Sequence, residues 1–473
     1  MGTTVIKRTA VTPTLATKCT IAFWTKRGRL DTSQCFAGAP SAGSGYTQFR
    51  FFHSDDDRIR LEAQDGGGSG AIDYKTNARF SDTNAWYHVC ISLDATQGTA
   101  ADRVKLYVNG IQITSWATQT TWNNDDILSW QVSGQTQYIG TYSGSDDLYD
   151  GTFAQYCFVD GTAEPPTTFG SFENGVWKAK SSPSPSAWGD NGFYLKFAKG
   201  ALLTDSSGNG NNFTLHSGTQ LYNSDAPDNN FPTVSKHLGQ QGVQYFAMDT
   251  DQLLYGNLYH DDHSGDRSVC ATMAVHKGKW YWENRYAQGV NTRNFGIVRA
   301  DMIANNTHFY LGTSSSNGTE NTMNYNPKST VLKVVITDKN DSGTQTAVTG
   351  DNNSGTNYVG HYLDLDNGKY AWSFNGTIIN SGNSFSLPDW SDTPNRWQVY
   401  GALPAARIDG EQDCAWNFGQ GYFQTSMLTG TENTDWYADA GGEGIFKHNP
   451  TATIDGSSQD FRAICTRNIK TYG

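Results

Sequence analysis

Two Asn-Gly pairs constrain this chain more than any other feature of it. Asn109-Gly110 lies within LYVNGIQIT and Asn375-Gly376 within YAWSFNGTII, each between two short apolar runs. A two-residue Asn-Gly loop takes the type I′ turn, which needs positive φ at both central residues and whose twist matches the strands it joins. The pairs therefore predict tight β-hairpins at equivalent points of two all-β modules. Composition agrees: 14 Trp, 24 Tyr and 23 Phe stand against eight Glu in 473 residues, a bias toward strands. At about 150 residues per domain the chain is also too long for a single core.

The strand candidates fall into two groups. CTIAFW, YTQFRFF, RIRLEA, WYHVCISLD, RVKLYVNG, IQITSW, TQYIGTY and GTFAQYCFVDG, separated by loops such as GAPSAGSG and QDGGGSG, make one sandwich over residues 1–165. Residues 166–240 carry Pro165 at their border, then Pro166, Pro183 and Pro185, which cannot donate to a ladder, and read as a connector holding one strand, FYLKFA. Phe169, Phe172, Trp177 and Trp188 within it call for an ordering partner. A second sandwich is expected over residues 241–420, from VCATMAV, GKWYWENRY, NFGIVRA, STVLKVVITD, YVGHYLDLDNGKYAWSFNG, WQVYGAL and CAWNFGQ. Residues 421–473 form a C-terminal extension whose last run, FRAICTRNIKTY, is short enough for one strand. The fold class expected is all-β, two β-sandwiches joined by an aromatic, Pro-rich connector.

A net charge of −12 argues against nucleic-acid binding, which Lys and Arg drive by neutralising phosphates. One basic stretch stands out. Lys7, Arg8, Lys18, Lys26, Arg27 and Arg29 precede the first acid, Asp31, either as an arm that docks on an acidic partner or as edge-strand charges that keep the sheet soluble. Seven cysteines are widely spaced, with no CxxC pair, and Cys90 and Cys157 lie in strand-like runs as small buried hydrophobes. No apolar run approaches a membrane span, so synthesis in a reducing cytosol without membrane insertion is expected.

Trp86, Tyr87 and His88 in WYHVCISLD, the LYVNG hairpin, YIG at 138–140 and the closing DGTFAQYCFVDG resemble a laminin-G or pentraxin-like member of the concanavalin A superfamily. GKWYWE at 278–283, FGI at 295–297, GKYAWSFNG and WNFGQ at 416–420 resemble a SPRY domain, a related two-sheet sandwich. The resemblance implies jelly-roll sandwiches in both modules. The stretches FVDGTAEPPTTFG, NGVWKAK, GFYLKF, DSSGNGNNFT, GIFKHNP and FRAICTRNI are similar to connectors in structural proteins of tailed bacteriophages, particularly marine ones.

Glycan hydrolases of related fold use a Glu-x-Asp-x-x-Glu strand that sets two carboxylates on one face. The nearest match, Glu411-Gln412-Asp413-Cys414-Ala415-Trp416, has Trp where the second Glu is needed, and no catalytic residue is assigned. Three acidic groups could hold calcium or simply form solvated turns: Asp55, Asp56 and Asp57; Asp125 and Asp126; Asp146, Asp147 and Asp150. The last is the best placed, since the resemblance puts it near the metal rim of laminin-G-like modules. His260-Asp261-Asp262-His263 lacks further ligands for a transition metal. No metal or cofactor is assigned. Trp116, Trp122 and Trp130, beside Asn123 and Asn124, either form a glycan-binding rim or pin a long loop to the sandwich or to a neighbouring subunit.

The phage resemblance implies a non-enzymatic virion surface protein, a fibre, tail or head appendage that adheres to host-surface glycan or protein. Its expected partners are other virion proteins and a host glycan, and it is expected to be a homo-oligomer, for instance a trimer. A capsid decoration protein touching only virion proteins is the alternative, and a glycan depolymerase the second alternative.

Overall fold

The computed structural model describes residues 4–30, 32–40, 45–52, 57–64, 71–235, 253–254, 256–260, 266–287, 293–301, 311, 322–326, 332–338, 341–348, 355–387, 396–409, 413–424 and 426–473. It divides into two compact units, Met1–Tyr222 and Asn223–Gly473. Both are built of sheets that are antiparallel but for one short pairing in the second unit, so the chain is all-β, with a concanavalin A-like first module.

The strands of the first unit are β1 (Val5–Thr9), β2 (Lys18–Arg27), β3 (Gln34–Ala39), β4 (Tyr46–Phe52), β5 (Arg58–Gln64), β6 (Ala71–Thr76), β7 (Trp86–Asp94), β8 (Val104–Val108), β9 (Ile111–Gln112), β10 (Trp116–Gln119), β11 (Thr136–Ile139), β12 (Gly151–Asp160), β13 (Gly170–Glu173), β14 (Val176–Ala179), β15 (Phe193–Leu195) and β16 (Thr214–Ser217). One sheet runs β10-β6-β5-β4-β3-β11-β1-β16 and the other β15-β12-β2-β7-β8-β9. Strict alternation explains the first sheet. Phe49, Phe51, Ile59, Leu61, Ile72 and Tyr74 point to the core, and the residues between them face outward. Between the sheets Phe23 stacks on Tyr156 with centroids 4.9 Å apart and tilts against Phe36 at 4.9 Å.

Residues 166–222, expected as part of a connector reaching residue 240, belong to this unit. β15 pairs with β12 through Phe158 and Phe193, and β16 pairs with β1. The hairpin β13–β14 lays Trp177 against Trp24 and Trp86, and Phe169 covers Cys90 and Cys157. The prolines mark turns here, and the aromatics decide the outcome because the outer face of the second sheet buries them. Buried carboxylates fasten the wrap, among them Glu164, which accepts the Ser186 N–H at 3.0 Å, and Asp160. Asp160 accepts the backbone N–H of Thr14 at 2.6 Å and of Asn191 at 3.1 Å, and the Gln131 side-chain amide at 3.3 Å.

In the second unit the strands up to Asn417 are β17 (Val234–Ser235), β18 (Leu253–Leu254), β19 (Tyr259–His260), β20 (Asp266–Ala271), β21 (Lys279–Ala287), β22 (Arg293–Arg299), β23 (Thr322–Asn326), β24 (Leu332–Asp338), β25 (Asp341–Val348), β26 (Thr356–Asp364), β27 (Lys369–Phe374), β28 (Thr377–Ile378), β29 (Phe385–Ser386), β30 (Ala402–Asp409) and β31 (Cys414–Asn417), and short strands follow between Tyr422 and Ala463. One sheet runs β17-β20-β30-β22-β23-β24-β25, the other β18-β19-β31-β21-β26-β27-β28. Phe295 of the first meets Tyr286 and His361 of the second at 5.5 and 6.5 Å. WQVY, expected in a strand, is instead part of a short helix, Arg396–Tyr400, and the strand begins after Gly401, whose φ of +84° ends the helix.

Residues 421–473 are likewise part of this unit and not an extension. Arg462–Ala463 joins β21 in parallel register, Phe446, Phe461, Ile464 and Cys465 are buried, and TRNIKTY forms a helix instead of the expected strand. That helix is anchored by Asn468, which is buried and donates to Asp439 at 3.1 Å. Glu283, wholly buried on β21, again fastens the wrap. It accepts the backbone N–H of His448 at 2.7 Å and of Lys447 at 2.9 Å, the Tyr281 hydroxyl at 2.9 Å and the Asn417 amide at 3.2 Å. Burial pushes its carboxyl up to about 7, against these donors, which pull it down.

Both Asn-Gly turns form as expected, with φ of 48° and 76° at Asn109 and Gly110 and 47° and 84° at Asn375 and Gly376. In each, the Asn Oδ1 accepts an N–H from the strand before the hairpin, that of His88 or of Tyr358, both at 2.8 Å. Each glycine also lies beneath a ring from the wrapping segment. A Cβ on Gly110 would sit 2.3 Å from Trp177 Cε3, and one on Gly376 would sit 2.8 Å from His448 Nδ1.

Gly110→Ala is therefore expected to cost the first unit about 2 kcal/mol or more, from left-handed strain and a displaced Trp177. Gly134→Ala, with φ of +83° but open space around it, should cost about half as much, and equal losses in urea denaturation would refute the ring-capping account. For Glu283 the folded value lies above the ordinary 4.5, so its contribution is fully present below that pH and is lost as pH rises through about 7. Buried His361, held well below its ordinary range, and His448, lowered to about 4, act in the opposite sense, so the comparison is with Glu283→Gln. Between pH 5 and 8 the native protein should lose about 2 kcal/mol relative to that variant, read from urea midpoints of the second unit.

Candidate functional site

The expected aromatic rim is the first region to place. Trp122 and Trp130 are 3% and 0% exposed and belong to the core of the first unit, with Trp130 edge-on to Phe158 at 6.1 Å. Trp116 lies half-buried on β10, packed edge-on to Tyr74 at 5.1 Å. Arg103 reaches beneath the loop and donates to the carbonyls of Trp122 at 2.6 Å and Gln97 at 2.8 Å. Asn123 and Asn124 are exposed, but no open ring accompanies them: Asn123 N–H donates to Asp126 at 3.2 Å, and Asn124 donates to Asp125 at 2.5 Å. The rim is thus corrected for Trp122 and Trp130, whose rings anchor the loop because so large an apolar surface is worth more inside the sandwich than outside it.

The acidic groups are engaged by basic and hydroxyl neighbours. Asp147 pairs with Arg50 at 2.6 Å and accepts from Gln48 at 2.5 Å, Asp146 accepts from Ser143 at 2.5 Å, and Asp57 pairs with Arg27 at 2.9 Å. Asp55, Asp56, Asp261, Asp262, His263, Glu411 and Gln412 lie outside the described residues. Among the described residues, no three His, Cys, Asp or Glu side chains gather as a metal site.

A different surface assembles from the alternation of β4, β5 and β6. Cross-strand register sets Arg50 beside Arg60, Gln48 beside Glu62, Arg60 beside Lys75 and Glu62 beside Asp73 on the outward face. Arg50 bridges Glu62 at 2.8 Å and Asp147. Arg60 grips Asp73 with two bonds, of 2.8 and 3.0 Å, and also reaches Glu62 at 3.4 Å. The Tyr46 hydroxyl adds a bond to Glu62 at 3.1 Å. Phe52 sits among three cations, with Arg60, Arg50 and Lys75 at 4.8, 5.0 and 5.6 Å from its ring centre. The loop at 141–147 closes over β3 because Gly38 has no Cβ, and it brings Tyr142 edge-on to Tyr46 at 6.2 Å.

The result is a half-exposed floor of alternating guanidinium and carboxylate groups with a ring at one end and a tyrosine wall at the other. Held in place by the bidentate Arg60–Asp73 pair and by Arg50 bridging two acids, these groups have already lost most of their rotamer freedom, so a ligand meets fixed donors and acceptors. The lattice was readable in principle. YTQFRFF and RIRLEA read as strands from the sequence, but β6, AIDYKT, does not, and without it the cross-strand neighbours cannot be aligned.

A family model described as the concanavalin A-like lectin/glucanases superfamily matches residues 2–166. No curated protein matches the chain. Among solved structures, a heptameric SAP-like pentraxin from Limulus polyphemus is 16% identical over 34% of this chain and 72% of its own, with a TM-score of 0.26. The SPRY domain of human HERC1 is 12% identical over 34% of this chain and 87% of its own, at 0.25. Domains LG4-5 of the mouse laminin alpha1 chain are 8% identical over 90% of this chain and 82% of their own, at 0.27. Likenesses this slight carry no argument about function.

Trp130→Ala should cost about 3 to 5 kcal/mol in urea denaturation of the first unit, the loss typical of a large ring removed from a core. Asn124→Ala should leave the melting temperature unchanged. A Trp130→Ala protein as stable as the native one would return that ring to the list of surface candidates.

Proposed function

We propose that this chain is a binding protein and not an enzyme: a surface component of a tailed-phage virion that adheres to host-surface glycan or protein. The observation that carries the binding role is the ordered guanidinium-carboxylate floor around Phe52. Vicinal sugar hydroxyls can accept from a guanidinium and donate to a carboxylate on such a floor, and an aromatic ring can take a C–H face. The family description that matches residues 2–166 names lectins and glucanases, in keeping with carbohydrate as the ligand class. The phage assignment rests on the likeness of the connector sequences alone.

The non-enzymatic part of the reading has its own support. Glu62 and Asp73 face each other across β5 and β6, the nearest approach to a carboxylate pair on this surface. A retaining glycosidase needs one such acid protonated and free to reach the leaving oxygen. Here Arg60 holds both, and Arg50 and Tyr46 share Glu62. Hydrolysis would have to break the lattice that binding uses.

A capsid decoration role is favoured by one feature, three exposed apolar side chains that flank Trp177. Ile111, Phe172 and Val176 are 64%, 51% and 59% exposed, a surface suited to another protein.

Beads densely coated with the full chain should retain host cells, and beads carrying a Phe52→Ala, Arg60→Ala double variant should retain at least about tenfold fewer, since two contacts of about 1 kcal/mol are lost at each of many sites. Both proteins should melt as folded units. Incubation with host envelope polysaccharide should release no new reducing ends. Equal retention by the two proteins would remove this face from the account, and release of oligosaccharide would overturn the non-enzymatic reading.

A further inference from the structure

Of the six basic residues that open the sequence, the fold uses most internally. Arg27 is buried against Asp57, Lys26 is 4% exposed, and Lys18 pairs with Asp94 at 3.1 Å. Arg8 is 7% exposed and donates to Gln137 at 2.9 Å, to the Asn191 carbonyl at 3.0 Å and to Asn211 at 2.7 Å, with its guanidinium 5.6 Å from the Phe193 ring centre. These are not the residues of a free arm. Lys7 differs: among the described residues no carboxylate pairs with its ammonium.

Lys7 opens onto a cleft of about 410 Å³ between the end of β1 and the loop at 210–214. Its lining includes Thr9, Val11, Thr136, Asn212 and Thr214. The loop is rigid for a reason visible in the sequence DSSGNGNN. Asp205 accepts the N–H of Asn211 at 2.9 Å and the Ser207 hydroxyl at 2.8 Å, and its own N–H goes to Asn212 Oδ1 at 2.8 Å. That last bond uses the oxygen of the Asn212 amide, whose nitrogen has no partner among the described residues. Val11, 42% exposed, supplies an apolar wall. In charge, Arg8 is offset by neighbouring Asp205 and Lys7 is not, so the cleft keeps one positive charge in a chain of net −12. A space of this size suits one sugar ring, being at the low end of small-molecule sites.

Extending the glycan-binding reading, on which it rests, we infer that this cleft takes a carboxylate-bearing pyranose, a uronic acid unit of an acidic glycan. The carboxylate meets the Lys7 ammonium. The Thr9 hydroxyl and the Asn212 amide nitrogen serve the ring hydroxyls, the Thr214 hydroxyl, which donates to the Lys7 carbonyl at 3.2 Å, accepts from one of them, and Val11 lies against a C–H face. One free ammonium matches one carboxylate, and three neutral polar groups match a polyol. A phosphate would call for a nest of backbone N–H groups or several cations instead.

The full chain titrated with methyl glucuronide and with methyl glucoside, followed by saturation-transfer NMR, tests this. The glucuronide should bind with a dissociation constant on the order of 1 mM and at least about tenfold more tightly than the glucoside, the margin of one charge-assisted bond. In Lys7→Gln the preference should fall below about twofold, with melting unchanged because the ammonium makes no internal pair. Equal binding of the two sugars, binding of neither, or a preference that survives Lys7→Gln would overturn the inference. Host-cell adhesion separates it from the broader reading. Loss of the glucuronide preference with adhesion intact sinks the cleft alone, and glucuronide binding without adhesion to any host surface sinks the adhesion role alone.

Discussion

A carboxylate without access to water fastens each sandwich to the segment that wraps it. Asp160 gathers donors from residues 14, 131 and 191, and Glu283 gathers them from residues 281, 417, 447 and 448. An acid in such a place costs several kcal/mol in lost hydration, and only a full set of donors offsets it. Those donors come from chain segments far apart in sequence, so neither carboxylate is satisfied until the wrap is in place. The rings above the two hairpins follow from the same arrangement, for Trp177 and His448 reach Gly110 and Gly376 only on the wrapping segments. Two modules of different sequence thus share a device: a bare glycine in a tight turn, a ring laid over it, and an inner acid that holds the segment carrying the ring.

Local chemistry was the legible part. The Asn-Gly turns, the alternating strands of both modules and the burial of Cys90 and Cys157 all express preferences that a few adjacent residues decide. What could not be read was long-range. The prolines at 165, 166, 183 and 185 indicated a connector, and they do interrupt strands, yet whether Phe169 and Trp177 find a face to cover depends on β2, β7 and β12. For the same reason VIKRT does not stand out as a strand in the sequence, since its partners, β11 and β16, lie more than a hundred residues away. Trp122 and Trp130 posed the converse problem. Polar neighbours make a tryptophan look exposed, and only the three-dimensional course of residues 120–132 turns the rings inward.

Charge behaves in the same manner. The first 30 residues look like a basic arm only while their partners are unknown: Asp57 and Asp94 pair with Arg27 and Lys18, and Gln137, Asn191 and Asn211 take up Arg8. Acidic turns look like calcium loops until Arg50 is seen to hold Asp147. On β4 to β6, charges of both signs form a dense, ordered array. The outward lattice, whose paired groups are held in place, and Lys7, which pairs with no carboxylate among the described residues, are more informative about ligands than the total charge of the chain, because position and pairing decide what a ligand meets.

Sandwich proteins often bind through loops, but the long loop between β10 and β11 is spent on self-packing, with Arg103 beneath it and two tryptophans through it. The surfaces left are a sheet face and an edge cleft, both shallow and polar. Such sites make few apolar contacts and so bind weakly, near 1 mM or about −4 kcal/mol each. Weakness is tolerable where many copies act together, because once one site is held the next binding event is intramolecular at an effective concentration in the millimolar range, comparable with its dissociation constant. A second and third engagement then add to the first at little entropic cost. Rigid, pre-paired sites serve this purpose better than mobile loops, since an ordering penalty incurred at every copy would multiply along with the number of contacts.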